Sequence, residues 1–412
     1  MMPTQLAANA AQTPDEKKAE RRKALLASMG TTLLTLLIGF VIGGIAMALA
    51  GFNPLAAYKE MAVGVFGTPK RIFTAVVKAT PIIGTGLSIA FANQSGLFNI
   101  GAEGQFLMGT VAAGVAGYFL PLPSGVHAIV VLLVAGLAGG ALGALIGFLK
   151  SRFGISEVIA GIMFNWIALY GRNAIVVIPG FEKSSNVSHA VQETARIGVL
   201  SSWRSSEAGK AYLSEHPMLA DIFKVDINWG ILLVIGLAVL IWFLLNKTTL
   251  GYRIKAVGAN HFAAEYAGIN VSRNYMLALF IAGALSGIAG GMHIIGVAPH
   301  TVSVLAAQEG YGFDGIAVAL MGMNSPLGCV LAGLLFASLR YGGTRLQSAM
   351  KVPSETINIM QGFIVLFAGI PGFVQTVRRW NQRRQQNRQR RIRETSKTVV
   401  ATQAEGGGHH GE

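Results

Sequence analysis

The sequence is poor in charge and almost free of cysteine, and each shortage excludes a class of protein. Only 13% of its 412 residues are Asp, Glu, Lys or Arg, against the roughly 25% that is usual in a soluble domain. The single cysteine, Cys329, excludes a disulfide framework and a cysteine-based metal site. No G-x-x-x-x-G-K-S/T segment occurs, so the chain lacks that route to ATP binding. Since there is also no nucleophile elbow, zinc pair or carboxylate dyad, we expect no enzymatic activity, no cofactor and no metal site.

Apolar residues dominate what is present. They make up 52% of the chain, and the stretches 24–58, 79–102 and 104–149 carry no charge. A membrane-spanning helix needs about 20 apolar residues, so each stretch holds at least one span. The third stretch is too long for one helix and contains the turn sequence Pro-Leu-Pro-Ser-Gly at 121–125, which divides it into two spans.

The sequence therefore predicts an all-α fold, a polytopic transmembrane bundle of about ten spans in the cell membrane. The predicted spans lie near 31–51, 72–92, 99–120, 125–149, 156–178, 229–246, 275–297, 311–323, 326–343 and 356–374.

Basic residues orient this bundle. They cluster before the first span, at Lys150 and Arg152 after the fourth, and in the tail from Arg378. By the positive-inside rule these regions, and hence both termini, are cytoplasmic. The net charge of +14 resides largely in these runs, which indicates contact with anionic membrane lipid and not with nucleic acid.

The predicted organisation has three parts. Residues 1–30 form a basic cytoplasmic segment, 31–377 the transmembrane domain, and 378–412 a disordered arginine-rich cytoplasmic tail. Within the transmembrane domain, 180–226 is an external loop and 247–273 is a cytoplasmic loop.

Glycine is abundant, with 52 residues, and two sets of glycines repeat every four residues along one face of the fourth and the seventh span. The sets are Gly139, Gly143 and Gly147, and Gly283, Gly287 and Gly291. Small residues at this spacing allow helices to approach closely, so we interpret both faces as packing surfaces.

Two polar stretches interrupt the apolar spans. Residues 91–105 join the second and third spans, and 309–317 occupy the corresponding place in the second half of the chain. Each combines aromatic residues, glycines and at least one carboxylate, and this echo suggests an internal repeat of two halves. Polar groups at membrane depth need a partner, a substrate or water. Glu103 and Asp314 could accordingly be hydrogen-bond partners between helices or direct substrate contacts.

The cytoplasmic loop 247–273 predicts a short helix. Asn260 is a suitable N-cap and Gly268 a suitable C-terminal stop. A helix of about two turns is not stable alone. Its small residues and Tyr266 suit insertion into a groove on a partner protein.

Three motifs in order resemble the permease subunits of bacterial ABC importers, in the family of branched-chain amino acid and simple-sugar permeases. They are GLFNIGAEGQ at 96–105, GFDGIAVALMG at 312–322 and SPLGCVLAGLLF at 325–336. Within that family they are most similar to the nucleoside permeases, and the resemblance runs from about residue 30 to 375. The short helix resembles the family's coupling helix. The external loop is longer than the family pattern leads us to expect.

The resemblance implies a membrane-pore subunit that takes up nucleosides by alternating access. It implies as partners a separate ABC ATPase, a second permease that is usually a paralogue, and an external substrate-binding lipoprotein. The ATPase would dock on Ala259, Asn260, Ala263, Ala264, Glu265, Tyr266 and Gly268. The substrate pathway would include Asn93, Gln94, Phe98, Asn99, Glu103, Gln105 and Asp314.

Two alternatives remain open at this point. The amides and aromatic residues of the polar stretches would also accept a simple sugar such as ribose. An ion-coupled secondary transporter would have the same many spans and broken helices, with charged residues such as Lys78, Glu157, Arg172 and Glu309 as candidates for coupling.

Overall fold

The computed structural model describes residues 14–200, 203–204, 206–225 and 227–368. The fold is an all-α bundle, as predicted. The helices of its first half are α1 (Pro14–Leu49), α2 (Pro54–Phe66), α3 (Pro69–Gln94), α4 (Ala102–Phe119), α5 (Val126–Phe153) and α6 (Glu157–Val176). Those of the second half are α9 (Gly230–Lys247), α10 (Thr249–Ala259), α11 (His261–Tyr266), α12 (Val271–Gly296), α13 (Tyr311–Met321), α14 (Pro326–Met350) and α15 (Ser354–Ala368).

The segment between α6 and α9, predicted as a loop, contains regular structure of its own. It forms a hairpin of β1 (Glu182–Ser184) and β2 (Val187–Ser188), a 3₁₀ turn at Glu193–Ala195, and the helices α7 (Glu207–Glu215) and α8 (Pro217–Phe223). Ser206 caps α7 by accepting a hydrogen bond from the Gly209 N–H. Trp203 packs against Tyr212 and Phe223.

A helix lies at each of the ten predicted spans, although the helices differ in length and polarity. Six described helices are long and apolar enough to cross a membrane: α3, α5, α6, α9, α12 and α14. A seventh candidate is the pair formed by residues 33–49 of α1 and by α2, which meet at a bend of 116°. The helix α13 has only 11 residues. The number of spans and the side of each terminus stay predictions, and the tail 378–412 lies outside the described residues.

The two glycine faces pack against each other, which explains both repeats. A Cβ on Gly139 would lie 2.8 Å from the Cα of Gly287, and one on Gly147 would lie 2.7 Å from the Cα of Met276. The helices α5 and α12 therefore meet backbone to backbone along most of their length. This closely packed pair, with α3 and α4 against it, forms the centre of the bundle.

Contacts between elements define two ends of the bundle. At the end that carries α10 and α11, here called the α11 end, Gly258 packs on Gly96 in the loop after α3. At the opposite end, here called the loop end, the segment after α6 pairs with the segment after α12, since the Ser188 N–H donates to the Val302 carbonyl at 2.8 Å. The C-terminus of α3 therefore lies at the α11 end, and the C-terminus of α12 lies at the loop end.

Candidate functional site

The two polar stretches that echo each other in the sequence are in direct contact. The carboxylate of Glu103, which is fully buried, accepts hydrogen bonds from the backbone N–H groups of Gly310 at 2.8 Å and Gly312 at 2.6 Å. These N–H groups lie at the start of α13, where an anionic acceptor is favourable. Gly310 has a φ of +85°, a conformation that favours glycine. Glu103 thus joins the beginning of α4 to the beginning of α13.

Asn99 and Gln105 form a buried pair of amides beside Glu103. The Asn99 Nδ2 donates to Gln105 Oε1 at 2.8 Å and to Ser88 Oγ at 3.1 Å. In return the Gln105 Nε2 donates to Asn99 Oδ1 at 3.1 Å. The two side chains hold the loop 95–101 against α3, and they use much of their hydrogen-bonding capacity within the chain.

Asn93 and Gln94 lie at the α11 end, close to the turn between α13 and α14. The Asn93 Nδ2 donates to Asn324 Oδ1 at 2.8 Å, and the Gln94 Nε2 donates to the Asn324 carbonyl at 3.2 Å. Phe98 is half-buried in the loop 95–101, which follows α3. Apart from Asp314, the predicted pathway residues therefore lie near Glu103 or near Asn324.

Asp314 belongs to a third group, which surrounds a cavity. It forms an ion pair with Arg340 of α14, and the Arg340 guanidinium also lies 4.8 Å from the centroid of the Tyr311 ring. The Arg340 Nη2 donates to the Glu309 carbonyl at 3.3 Å. The adjoining cavity has a volume of about 160 Å³ and is lined by Lys78, Ile82, Tyr311, Ala337, Arg340, Tyr341 and Thr344.

Lys78 is the unusual member of this lining. It is exposed and lies about 13 Å along α3 from the first residue of that helix, at about 1.5 Å per residue. Its ammonium stands 5.2 Å from the centroid of the Tyr341 ring, and no described carboxylate forms an ion pair with it. A charged group at this depth is costly in lipid and is usually found facing water or protein.

Arg172 lies on the side of this group that faces the loop end. It is almost fully buried, and it donates to Thr110 Oγ1 at 3.1 Å and to the Ser303 carbonyl at 2.6 Å. It also forms an ion pair with Glu309 at 3.4 Å. Arg172, which lies on α6, thus links that helix to α4 and to the segment 297–310.

Sequence reasoning did not single out Arg340, Tyr341 or Thr344. Arg340 follows directly after the charge-free stretch 315–339. The sequence therefore placed Arg340 near the end of the predicted span 326–343. The helix α14 continues to Met350, so Arg340 lies well inside it. Arg340 and Thr344 are four residues apart and share a helix face; this spacing was the signal available in the sequence.

The short helix predicted within 247–273 exists as α11. The Asn260 side chain accepts a hydrogen bond from the Ala263 N–H at 3.1 Å, as an N-cap does. Gly268 has a φ of +81° and ends the helix, so both expectations for the helix termini are confirmed. Ala264 is buried against the rest of the chain, whereas Tyr266 is 97% exposed. The other predicted docking residues, Ala259, Asn260, Ala263, Glu265 and Gly268, are exposed too.

Comparison with known proteins identifies relatives over most of the chain. The profile of the family described as "Branched-chain amino acid transport system / permease component" matches residues 71–369. A guanosine ABC transporter permease protein of Bacillus subtilis is 36% identical over 336 residues, which cover 81% of this chain and 91% of the relative. A nucleoside ABC transporter permease protein of Lactococcus lactis is 32% identical over 84% of this chain and 92% of the relative.

More distant similarities were also found. A glucose ABC transporter permease protein of Haloferax volcanii is 29% identical over 82% of this chain and 86% of the relative. Among solved structures, an inward-facing putative metal-chelate type ABC transporter aligns with 85% of this chain and 97% of its own, at a TM-score of 0.39 and 18% identity.

Proposed function

The chain belongs to the family of permease components of branched-chain amino acid transport systems, and from this premise we propose that it forms the membrane pathway through which an ABC importer takes up nucleosides. The observation that carries the proposal is the similarity, over more than four fifths of the chain, to permeases of guanosine and of nucleosides. As an ABC permease, the chain is a multi-pass cell membrane protein and not an enzyme.

The proposed pathway runs past the cavity between α3, α13 and α14. Lys78, Tyr341 and Thr344 line it and present polar groups to the space between α3 and α14. A volume of about 160 Å³ is below the roughly 300–1,000 Å³ of a typical ligand pocket. The space therefore has to widen before a nucleoside passes, as alternating access requires.

The groups around Glu103 and Asn324 have a supporting role in this proposal. Their amide and carboxylate atoms bind other groups of the chain, so in this conformation they fix the ends of α3, α4 and α13. Movement of those helix ends would open or close the pathway. Asn93, Gln94, Phe98 and Asn99 would meet the substrate only after such a movement.

An ABC permease works with an ATPase subunit and usually with a substrate-binding protein. We assign ATPase docking to α11, whose exposed Tyr266 and Glu265 project from the α11 end. We further propose a second permease, a paralogue of this chain, and an external binding lipoprotein as the remaining partners. Membrane lipid covers the exposed apolar side chains of the outer helices.

A direct test is uptake by cells that lack this chain and by cells in which it is restored. Radiolabelled uridine, adenosine and inosine are the substrates, and ribose, glucose and leucine are the controls. Restored uptake of nucleosides alone supports the proposal. Restored uptake of leucine, with no nucleoside uptake, would overturn it.

A simple sugar is the second candidate substrate, and one observation favours it: the similarity to the glucose permease of Haloferax volcanii. That similarity is weaker than the two similarities to nucleoside permeases. Restored uptake of glucose or ribose in the same experiment would support a simple sugar as the substrate.

A further inference from the structure

We infer that the cavity between α3, α13 and α14 selects nucleosides with a 6-oxopurine base, and that Lys78 and Arg340 donate hydrogen bonds to the acceptor edge of that base. This inference rests on the proposed function and names the substrate class within it. Three features of the cavity support it: its donors, its charge balance and its size.

The cavity wall has an excess of hydrogen-bond donors. Lys78 and Arg340 carry only donors, and the Lys78 ammonium has no described carboxylate partner. The neighbouring carboxylate of Asp314 is already engaged by Arg340. The hydroxyl groups of Tyr341 and Thr344 can either donate or accept. A ligand that presents acceptors toward Lys78 and Arg340 is therefore favoured over one that presents amino groups.

The charges nearby balance, which argues against an anionic ligand. The cations around the cavity are Lys78, Arg172 and Arg340, and the carboxylates on the elements packed against it are Glu103, Glu309 and Asp314. Arg345 on the next turn of α14 is paired with Glu60 at 3.3 Å. With cations and carboxylates equal in number, the region offers donors without a net positive charge. A neutral ligand rich in acceptors fits this balance.

A 6-oxopurine presents two adjacent acceptors, O6 and N7, on one edge, and Lys or Arg is their usual partner in protein–DNA complexes. Adenine has an amino group in place of O6. This amino group is a donor, and it would face the donor of Lys78 or Arg340. Uracil has carbonyl oxygens but no second acceptor equivalent to N7 beside them. The edge of hypoxanthine or guanine therefore matches the pair of donors best.

The size of the cavity suits a base, and two tyrosine rings position its cationic groups. A volume of about 160 Å³ accommodates part of a nucleoside and not the whole molecule. The rings of Tyr311 and Tyr341 lie beneath the two cationic groups, at 4.8 Å from the Arg340 guanidinium carbon and 5.2 Å from the Lys78 nitrogen. They restrict where those groups can point.

The experiment compares inosine with purine riboside, which lacks the oxygen at position 6 and the hydrogen on N1 but keeps N7. Uptake of each is measured in cells that carry the wild-type chain or the variant Lys78→Met, together with the unchanged partner subunits. The same binding protein serves both chains, so the change in the inosine to purine riboside ratio reports how far the preference for the 6-oxo base depends on Lys78. Lysine carries only donors, and of the two altered positions only O6 of inosine is an acceptor. We expect the ratio to fall about tenfold in the variant.

Two further variants serve as controls. Lys70→Met removes another lysine of α3 that does not line the cavity, and we expect it to leave the ratio unchanged. Lys78→Arg retains a donor-only cation and should preserve most of the preference. Lys78 is exposed, so we expect Lys78→Met to fold. The amount of the variant in the membrane verifies this.

The outcomes separate the inference from the function on which it rests. If nucleosides are taken up but the ratio is the same in wild type and in Lys78→Met, the inference is wrong and the proposed function stands. If the wild-type chain restores no nucleoside uptake at all, the proposed function itself fails.

Discussion

Gly96 and Gly258 touch through their backbones and connect the α11 end to the transmembrane helices. A Cβ on Gly258 would lie 2.9 Å from the Gly96 nitrogen and would also collide with the Gln94 carbonyl oxygen. Gly258 lies on α10, directly before α11, and Gly96 lies just after the end of α3. If an ATPase docks on α11 as we propose, its movement would reach α3, and with it Lys78, through this contact.

The first prediction concerns this contact. In Gly258→Ala the added methyl group forces α10 away from the loop 94–96, because its neighbours there are backbone atoms that cannot yield. We expect ATP-driven uptake to fall severalfold while the ATPase still co-purifies with the permease. The matched control is Gly236→Ala on α9, where a Cβ meets nothing within 4 Å. Normal uptake by Gly258→Ala would show that the contact does not transmit movement.

The second prediction concerns α11 itself. Tyr266 is 97% exposed, so Tyr266→Ala removes no packing within the chain and should leave its thermal stability unchanged. If α11 is the docking helix, the variant loses co-purifying ATPase and loses uptake, since exposed aromatic side chains often anchor interfaces. Tyr170→Ala on α6 is the control, because Tyr170 is also exposed and lies two residues before Arg172, which binds the Ser303 carbonyl near the loop end. Unchanged ATPase binding by Tyr266→Ala would place the docking surface elsewhere.

The third prediction distinguishes the two interpretations of Glu103. Its two carboxylate oxygens each accept one backbone N–H, whereas a glutamine has only one acceptor oxygen. Glu103→Gln leaves a buried N–H unsatisfied, which costs about 1–3 kcal/mol, and we expect a lower unfolding temperature in detergent. A variant that melts like the wild type yet fails to transport would instead indicate direct contact with substrate.

The fourth prediction concerns the glycine faces of α5 and α12. Gly139→Ala places a methyl group 2.8 Å from the Gly287 Cα, so the two helices have to separate. The destabilisation should reach or exceed about 3 kcal/mol, at the upper end of typical overpacking, and lower the amount of folded protein in the membrane. Gly171→Ala on α6 has open space around the new Cβ and should be tolerated. Equal yields of the two variants would contradict the backbone contact between α5 and α12.

The sequence supported predictions that depend on local chemistry. Asn260 and Gly268 mark the two ends of α11. An amide side chain caps the start of the helix, and a glycine adopts positive φ just after its last residue. The positions of the spans follow from apolar length. The helices α7 and α8 were missed because the segment 180–226 is polar and was interpreted only by its charge.

Contacts between distant parts of the chain could not be derived in the same way. The repeats of Gly139 and Gly287 indicated two packing faces, but not that they pack on each other. Likewise the echo between 91–105 and 309–317 did not show that Glu103 binds the N–H groups of Gly310 and Gly312. Such pairings depend on the three-dimensional arrangement of helices, to which hydropathy is insensitive.

The measurement that tests the account most directly is nucleoside uptake into vesicles containing this chain, its ATPase, the second permease and the binding protein. We predict that labelled inosine accumulates when ATP is present on the side of α11, and that accumulation continues after an ionophore collapses the proton gradient. Accumulation that needs the gradient but no ATP, or none of any nucleoside in the fully assembled complex, would contradict the account.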